Sequence, residues 1–367
     1  MHTKKIDRFF LIITFLLIFI GVAMFVSASL GILSKNEGTF YSVLFSQLIL
    51  GFGFGFLGMY LALKIDYKFW RKYSFYIFLG SILLTAAVFV PSLGWSHLGA
   101  ERWIQLGPLK FQPVEILKFG FIIYFAAWLS WAKNRVQDFK FGILPLIVLL
   151  AIIAFILFNQ PDTKSFILIA VTGISMLFIS GVSMKWITLL GVGSVIVLGS
   201  LVFVTPYLQE RIKTFIDPSQ DPQGSSYQIQ QSLIAIGSGG IFGRGYGQSI
   251  QKFSYLPEPQ GDSIFAVVGE ELGFVGSVVI IILYLLFLLR GLRIANNSPD
   301  LFSRLLVSGI VILVVAQSFM NIASVTGVFP LTGVPLVFMS HGGTSLMVYL
   351  MAIGIVFQIS KYQFKRN

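Results

Sequence analysis

The feature that most constrains this chain is a series of long apolar runs that recurs from one end to the other. Runs of about 17 to 25 apolar residues are long enough to cross the hydrocarbon core of a bilayer as α-helices. Hydrophobic residues make up 56% of the 367 residues and charged residues only 11%, which is too few to cover a water-soluble domain of this size. The sequence therefore predicts an all-α polytopic membrane protein.

We interpret residues 1–367 as a single transmembrane domain of about ten helices. The predicted helices are approximately 9–30, 42–63, 73–90, 115–132, 142–158, 165–180, 187–204, 264–289, 305–326 and 344–360. The first run contains Ser27-Ala28-Ser29, which resembles a signal-peptide cleavage site, but its length favours a retained span. Two extracytoplasmic loops are long, approximately 91–114 and, between helices 7 and 8, 205–263. Long ordered loops rich in glycine and proline usually carry function.

The distribution of Lys and Arg predicts the orientation of these helices. With both termini in the cytoplasm, 17 of the 26 basic residues lie inside and the other nine lie in outer loops or at outer helix ends. The formal net charge of +11 is therefore a topology signal and does not favour nucleic-acid binding. Cysteine is absent, so the sequence offers no disulfide framework and no thiolate metal site.

Asp262 stands immediately before the eighth predicted helix and has two interpretations. Aspartate is a good N-cap residue, because its carboxylate accepts hydrogen bonds from the free N–H groups of the first turn. Alternatively, a carboxylate at the membrane boundary accepts a proton from a substrate hydroxyl as a general base. Two turns further on, Glu270 and Glu271 fit helix–helix bonding or a wet cavity, and we assign them no catalytic role.

Other charged residues near the outer helix ends are candidates for binding a substrate. Glu115 and Lys118 lie three residues apart, so they form either a structural ion pair or part of a site. Arg102, Arg211 and Lys252 can bind phosphate, although each alone also fits contact with lipid headgroups.

The segment from Ser340 to Ser345 opens the last predicted helix. Its polar groups, including those of Ser340 and Gly342, suit either anion binding or helix capping. His341 has no second histidine nearby, so a metal site has little support. A nucleotide-binding fingerprint, metal-ligand spacing and a nucleophile elbow are also absent from the sequence. A reaction on the outer face must therefore take its energy from the substrate, as a lipid-linked pyrophosphate sugar would allow.

Several short motifs are spread through most of the chain. They are Gly99-Ala100-Glu101-Arg102-Trp103-Ile104, Phe111-Gln112-Pro113-Val114-Glu115-Ile116-Leu117-Lys118, Gln160-Pro161-Asp162, Tyr227-Gln228, Gln231-Ser232-Leu233-Ile234-Ala235-Ile236-Gly237-Ser238-Gly239-Gly240, Gln251-Lys252-Phe253-Ser254-Tyr255-Leu256-Pro257-Glu258, Asp262-Ser263-Ile264-Phe265-Ala266-Val267, Glu270-Glu271-Leu272-Gly273 and Gly342-Gly343-Thr344-Ser345. Together they resemble the SEDS family (shape, elongation, division and sporulation), the polytopic peptidoglycan glycosyltransferases. The sequence from Gln251 to Glu258 resembles the cell-division branch, FtsW, more than the elongation branch, RodA.

The sequence departs from the pattern of the family in four places. His341 stands where the family usually has Tyr, and Val337 stands where it usually has Pro. Gln260-Gly261 replaces His-Thr before the aspartate, and Thr163-Lys164-Ser165 replaces Leu-Gly-Thr after Pro-Asp. None of these departures removes the carboxylate of Asp262.

The resemblance implies that the chain polymerises lipid II into glycan strands at the outer face of the bacterial cytoplasmic membrane, for septal wall synthesis in cell division. It implies that Asp262 is the catalytic base, that Arg102, Lys118 or Arg211 meets the charge of the leaving group, and that Glu115 and Glu258 orient these groups. Lys252, Ser340 and Gly342 complete the expected substrate-binding residues.

The resemblance also bears on cofactors and partners. No organic cofactor is expected, and a divalent cation, Mg²⁺ or Mn²⁺, is left open. The expected partners are lipid II with the growing glycan strand, a class B penicillin-binding transpeptidase, membrane lipids and other division-complex proteins.

Three other functions stay open from the sequence. A RodA-type elongation polymerase would use the same site. A lipid II flippase or transporter fits a helical bundle with intramembrane carboxylates, although no inverted repeat is visible. In a scaffold that recruits division partners, Asp262 would be only a helix cap.

Overall fold

Apolar helices account for most of the chain. The structure is a computed structural model and describes residues 5–34, 36–97, 100–106, 109–217 and 226–363. The helices of the first half are α1 (Arg8–Leu33), α2 (Glu37–Lys64), α3 (Tyr67–Lys72), α4 (Ser74–Ala86), α5 (Pro113–Ala132), α6 (Ile143–Asn159) and α7 (Thr163–Ile179). Those of the second half are α8 (Met184–Val204), α9 (Pro206–Ile216), α10 (Tyr227–Ser238), α11 (Gln251–Ser254), α12 (Ile264–Asn296), α13 (Leu301–Val325) and α14 (Gly343–Ser360).

The predicted all-α membrane fold is confirmed. Among the described residues, seven helices are long and apolar enough to cross a bilayer, namely α1, α2, α5, α8, α12, α13 and α14. The three other predicted segments fall on shorter apolar helices, Ser74–Phe89, Ile143–Asn159 and Thr163–Ile179. A helix of 17 residues spans about 25 Å, which is slightly less than the hydrocarbon core. All ten predicted segments are therefore helical, and their number as membrane spans stays a prediction.

Aspartate and asparagine residues mark where several helices begin. Side-chain oxygens of Asp7, Asn36, Asp66, Asp162 and Asp300 accept hydrogen bonds from N–H groups in the first turns of α1, α2, α3, α7 and α13. These N–H groups have no partner within their helix, and in a bilayer an unpaired N–H costs several kcal/mol. The caps therefore fix the helix starts that hydropathy alone leaves uncertain.

Small residues let α2 and α14 pack closely. A Cβ at Gly354 would lie only 2.3 Å from the main-chain oxygen of Met59, and one at Gly343 would lie 2.4 Å from that of Ser46. Glycine at both positions therefore permits main-chain contact between the helices, as is common where dispersion forces drive association in lipid. The middle of α2, Ser46–Gly53, is π-helical and packs against α14.

The predicted loop 91–114 contains a small antiparallel sheet that we did not predict. Its strands are β1 (Gly94–His97), β2 (Ala100–Leu106) and β3 (Leu109–Phe111), in the order β1-β2-β3. Trp95 is paired with Trp103, and Ile104 with Phe111. Ile104 is buried, which anchors the sheet on the helices below it. Residues 98–99 and 107–108, including Gly99 of the first motif, lie outside the described residues.

The predicted loop 205–263 contains three short helices, α9, α10 and α11. Residues 218–225 lie outside the described part of the chain. Its glycine-rich segment packs against a kink in α12 at Gly273, where φ is 66° and ψ is −165°. A Cβ at Gly243 would lie 2.2 Å from the main-chain oxygen of Glu271. The glycines therefore serve close main-chain contact, and they do not form a phosphate-binding loop.

Candidate active site

Asp262 does not cap the helix that follows it. Helix α12 begins at Ile264 with Ser263 as its N-cap residue, and no side chain of a described residue accepts a hydrogen bond from its first turn. The interpretation of Asp262 as a helix cap is therefore wrong. Its side chain is partly buried, and Oδ2 lies 2.9 Å from the point that a Cβ at Gly333 would occupy.

Three hydrogen bonds fix the main chain that carries this carboxylate. The main-chain oxygens of residues 260 to 262 accept, in order, from the N–H of His341, the Oγ of Ser340 and the Nδ2 of Asn321, each at 2.7 Å. Asn321 also donates to the main-chain oxygen of Val334 at 2.7 Å. A reactive group held on a fixed main chain is preorganised, so it does not have to be ordered during the reaction.

Glu258 closes the turn that precedes Asp262. It has a positive φ of 45°, and its main-chain oxygen accepts hydrogen bonds from the N–H groups of Gly261 (2.9 Å) and Ser263 (3.3 Å). Its exposed carboxylate accepts a hydrogen bond from Nε2 of Gln260 at 3.1 Å. These contacts suit the orienting role expected for Glu258, and contact with a substrate stays a prediction.

Three cations from three different segments approach Asp262. Arg102 lies on β2, Lys164 in the first turn of α7 and Arg211 on α9. Each is held by donating to main-chain oxygens: Arg102 to Gln160 (3.0 Å) and Pro161, Lys164 to Gly333, and Arg211 to Leu331. Three cations held in this way in the region of Asp262 suit an anionic ligand.

The electrostatics of Arg211 show how close these groups lie. Burial lowers the pKa of its guanidinium and the charge of Arg102 adds to this effect, whereas Tyr207 and the carboxylate of Asp262 oppose it. The guanidinium also lies 4.4 Å from the centre of the Tyr207 ring. Arg211 thus interacts with both Arg102 and Asp262, and the structure brings these three predicted residues together.

Glu115 and Lys118 form a buried ion pair next to this region. Their side chains are 5% and 2% exposed, and Lys118 Nζ lies 2.8 Å from Glu115 Oε2. The same ammonium donates to Gln317 Oε1 (2.8 Å) and to the hydroxyl of Tyr349 (3.2 Å). Lys118 thus has two hydrogen-bond acceptors and one counter-charge within the protein. Gln317 in turn donates to the main-chain oxygen of Pro335 at 3.2 Å, so the network supports the segment that carries Gly333.

Lys252 lies in a separate, fully buried cluster with Glu270 and Glu271. Its Nζ contacts Glu271 Oε1 at 2.7 Å and donates to Ser27 Oγ at 2.9 Å and to the main-chain oxygen of Gly247 at 2.8 Å. Both charged side chains of the pair are 0% exposed. The structure therefore does not bring Lys252 to Asp262, and the role expected for it in phosphate binding has no geometric support here.

Ser340 and Gly342 use their donors within the protein. The hydroxyl of Ser340 donates to residue 261, and the N–H of Gly342 donates to Oε1 of Gln47 at 3.0 Å. Ser340 is only 5% exposed. These groups therefore hold the turn before Asp262 in place, and anion binding by them stays a prediction without free donors to support it.

The residues around Asp262 do not fit a divalent cation held by protein ligands. Such ions need several oxygen ligands, whereas three positive side chains lie in the region of Asp262. No group of three or more His, Cys, Asp or Glu residues able to bind a metal occurs among the described residues. The ring of His341 stacks on Phe25 with 6.1 Å between centroids, and burial lowers the pKa of its imidazole to about 4.

A cavity of about 330 Å³ adjoins this region. It is lined mainly by apolar side chains of α9, α10 and the segment after α13, and Arg211 lies in its wall. Gln228, which also lines the cavity, donates to Ser263 Oγ at 3.1 Å and so links the cavity to the start of α12. Asp262 is not in the cavity wall, so Arg211 is the cation shared by the cavity and the Asp262 region.

Two residues of the site had no assigned role in the sequence analysis. Asn321 is an amide in the middle of an apolar segment, and such isolated polar residues are usually bonded or functional, so a signal was available. Lys164 was visible as a cation where the resembled family has glycine. Its contact with Gly333 joins segments 169 residues apart, which spacing alone could not reveal.

Comparison with known proteins gives relatives over the whole chain. Stage V sporulation protein E of Bacillus subtilis (strain 168) is 38% identical over 365 residues, which covers 99% of each chain. A probable peptidoglycan glycosyltransferase FtsW of Geobacter sulfurreducens is 38% identical over 364 residues, covering 98% of this chain and 97% of that protein.

Two solved structures have the same fold. A chain from a study of the structural coordination of polymerization and crosslinking by a peptidoglycan synthase complex is 26% identical, with a TM-score of 0.80, covering 98% of this chain and 99% of that one. The rod shape determining protein RodA of Thermus thermophilus is 25% identical, with a TM-score of 0.67, covering 95% and 97%. Residues 7–365 match the family described as "Cell cycle protein". This chain therefore belongs to the FtsW, RodA and SpoVE family, and the resemblance inferred from its motifs is confirmed.

Proposed function

We propose that this chain is a peptidoglycan glycosyltransferase of the FtsW type, which polymerises lipid II into glycan strands for septal wall synthesis. The observation that carries the proposal is the setting of Asp262. Its carboxylate caps no helix, its main chain is fixed by three hydrogen bonds, and it faces cations from three segments. Relatives named as probable peptidoglycan glycosyltransferases over nearly the full length support the same activity.

The proposed reaction joins two lipid-linked sugars. Asp262 accepts the proton of the 4-hydroxyl on the GlcNAc of the acceptor. That oxygen forms a bond to the anomeric carbon of the donor's MurNAc, with inversion at this carbon. The bond from the anomeric carbon to the pyrophosphate oxygen breaks, and undecaprenyl pyrophosphate leaves with the electron pair. The proton remains on Asp262 until solvent removes it.

Negative charge that develops on the leaving group needs fixed positive partners. Arg102 and Arg211 suit this role, because their guanidinium groups can bind phosphate oxygens in pairs and each is already held in place by a main-chain oxygen. Lys118 is 2% exposed and Lys252 is 1% exposed, and both are surrounded by protein partners. We therefore assign these two lysines, with Glu115, to positioning the segments around the site.

The orientation and partners of the chain are part of the proposal. Helices α5, α7, α12 and α14 begin at the end of the bundle that carries Asp262, and the excess of basic residues lies at the opposite end. These observations support an orientation with both termini in the cytoplasm and Asp262 on the outer side. The similarity to a chain of a peptidoglycan synthase complex supports a class B penicillin-binding transpeptidase as the partner that cross-links the strands.

The test measures glycan polymer from purified protein, lipid II and its transpeptidase partner. Asp262→Asn and Asp262→Ala should each lower polymerisation by about 10²- to 10⁴-fold, because a general base contributes about that factor. The matched control is Asp66→Asn, since Asp66 caps a helix at the opposite end of the bundle. It should polymerise lipid II like the wild-type protein.

The outcomes separate the proposed function from its rivals. Polymer formed at the wild-type rate by both Asp262 variants would reject the general base. Transport of labelled lipid II across vesicles without any polymer would instead support a flippase. Polymerisation by a chain that complements loss of elongation, but not loss of division, would support the RodA-type role.

A further inference from the structure

Lys164 reaches across the site from the first turn of α7. Asp162 caps this helix, accepting from the N–H and the hydroxyl of Ser165, so the start of the helix is well anchored. From there the ammonium of Lys164 donates to the main-chain oxygen of Gly333, on the segment between α13 and α14. The side chain is partly buried.

Gly333 brings this ammonium close to the proposed base. A Cβ on Gly333 would lie 2.9 Å from Asp262 Oδ2 and 3.6 Å from Lys164 Nζ. Both charged atoms therefore surround one point that only a glycine leaves open. No other lysine of the described residues meets the carboxylate of Asp262 through such a shared neighbour.

Counting donors distinguishes Lys164 from Lys118. An ammonium has three N–H groups. Lys118 donates to Gln317 and Tyr349 and forms an ion pair with Glu115, and its side chain is only 2% exposed. Among the described residues, Lys164 has one such partner, the main-chain oxygen of Gly333. Lys164 can therefore still donate to a ligand, whereas Lys118 cannot do so without breaking its ion pair.

We propose that Lys164 binds the pyrophosphate of the lipid-linked donor, as the third cation with Arg102 and Arg211, and that it supplies charge that a divalent cation would otherwise provide. This inference rests on the proposed function. Lys164, Arg102 and Arg211 are each held by main-chain oxygens, and fixed cations of this kind suit the oxygens of a pyrophosphate.

The test measures binding of farnesyl pyrophosphate to the full chain in detergent without divalent cations. Lys164→Met removes the charge and keeps the length of the side chain, and it should weaken binding about tenfold. Lys164→Arg keeps the charge and should stay within about threefold of the wild-type affinity. Adding Mg²⁺ should restore part of the affinity of Lys164→Met, because an ion bound to the phosphate oxygens supplies positive charge without protein ligands.

The matched control is Lys185→Met. Lys185 is exposed and lies near the start of α8, one full helix away from Lys164 along the chain. It should bind farnesyl pyrophosphate with wild-type affinity. Melting temperatures of all variants identify any that fail to fold, and Lys164→Gln serves as a second neutral variant in that case.

Three results would overturn the inference. Unchanged affinity in Lys164→Met would exclude a contact with pyrophosphate. Equal losses in Lys164→Met and Lys164→Arg would show that charge is not what matters. Displacement of the probe by phosphatidylglycerol vesicles, in wild type but not in Lys164→Met, would assign the lysine to a phospholipid headgroup. Asp262→Asn should bind the probe but not polymerise lipid II, so failure of the base and failure of Lys164 give different results.

Discussion

The Asp262 site and the Lys252 cluster contain similar residues in opposite states. In the cluster, Glu270 and Glu271 accept hydrogen bonds from the main chain and hydroxyls of residues 247–251, and Lys252 neutralises Glu271 at 2.7 Å with neither side chain exposed. At the site, Asp262 is partly buried and its neighbouring cations are held by main-chain oxygens.

This difference shows how to distinguish structural from functional charges in a membrane protein. Both groups lie in or just before α12, a helix apolar enough to cross a bilayer, and an ionisable side chain in lipid is costly unless it has partners. The cluster is saturated, so it can only hold segments together. The cations of the site keep donors for a further anion, and their carboxylate has no protein cation within salt-bridge distance among the described residues. The Asp262 site and the Lys252 cluster therefore differ in whether their charged groups already have protein partners. Charge or burial alone does not distinguish them.

The largest expected effect comes from breaking the saturated cluster. Glu271→Gln would leave the ammonium of Lys252 buried without a counter-charge, so the free energy of unfolding should fall by about 3–5 kcal/mol. The double variant Lys252→Met/Glu271→Gln should recover part of this loss, because it removes both charges. Thermal unfolding in detergent measures both effects. A Glu271→Gln protein that melts like the wild type would mean that the cluster is not saturated in the way described.

The second effect concerns the hydrogen bonds that fix the main chain of Asp262. Asn321→Ala removes the donor to the main-chain oxygens of Asp262 and Val334, which should lower stability by about 1–3 kcal/mol. The turnover number should fall about tenfold while half-saturation by lipid II stays nearly constant, since the substrate contacts remain. The control is Ser324→Ala, whose hydroxyl donates within the same helix. Equal effects of both changes on turnover would mean that Asn321 does not help to fix this main chain.

A third prediction uses two glycines in different surroundings. Gly333 has a φ of 64°, and a Cβ there would meet Asp262 Oδ2 at 2.9 Å, so Gly333→Ala should cost about 1–2 kcal/mol and impair polymerisation. Gly80 lies within α4, and a Cβ there would have no neighbour within 4 Å. Gly80→Ala should therefore stabilise the helix by about 0.5–1 kcal/mol and leave polymerisation unchanged. Thermal unfolding and polymer yield of the two variants check the contrast.

The last expected effect is a pH dependence at His341. Burial lowers the pKa of its imidazole to about 4 in the folded chain, against 6.5 for the exposed group. The unfolded chain therefore binds the proton more readily between these values, and stability should decrease as the pH falls from 6.5 towards 4. His341→Phe can keep the stacking on Phe25 and should lose less stability over this range. Melting curves of the wild type and of His341→Phe at pH 7 and pH 5 test this. An equal decrease in melting temperature in both proteins would show that His341 does not contribute.

Hydropathy was sufficient to find the helices but not the structure between them. The predicted segments 73–90 and 344–360 correspond within a residue to Ser74–Phe89 and Gly343–Ser360. An apolar segment in lipid must pair its own main-chain polar groups, and an α-helix does so. The sheet in loop 91–114 was missed, since its strands are short and are paired across turns. The kink at Gly273 was also missed, because it depends on a segment more than 30 residues earlier.

A residue of the site could be predicted where its position in a loop or at a helix end is enough to select it. Asp262, Arg102 and Arg211 were selected from loops and helix ends, and the structure brings them together. Lys118 and Lys252 were selected on the same grounds, but their partners come from other helices and occupy their donors. The sequence shows which charges are present, whereas the state of their donors depends on tertiary packing.

The interruption of α12 at Gly273 changes how force passes through this helix. The main-chain oxygens of Glu270 and Glu271 accept from the N–H groups of Arg244 and Gly245, and the N–H groups of Phe274 and Val275 donate back to residues 240 and 241. The first two turns of α12, which follow Asp262, are thus splinted by the preceding loop. We therefore expect a change in bilayer thickness to bend α12 beyond Gly273 and to leave the end next to Asp262 in register.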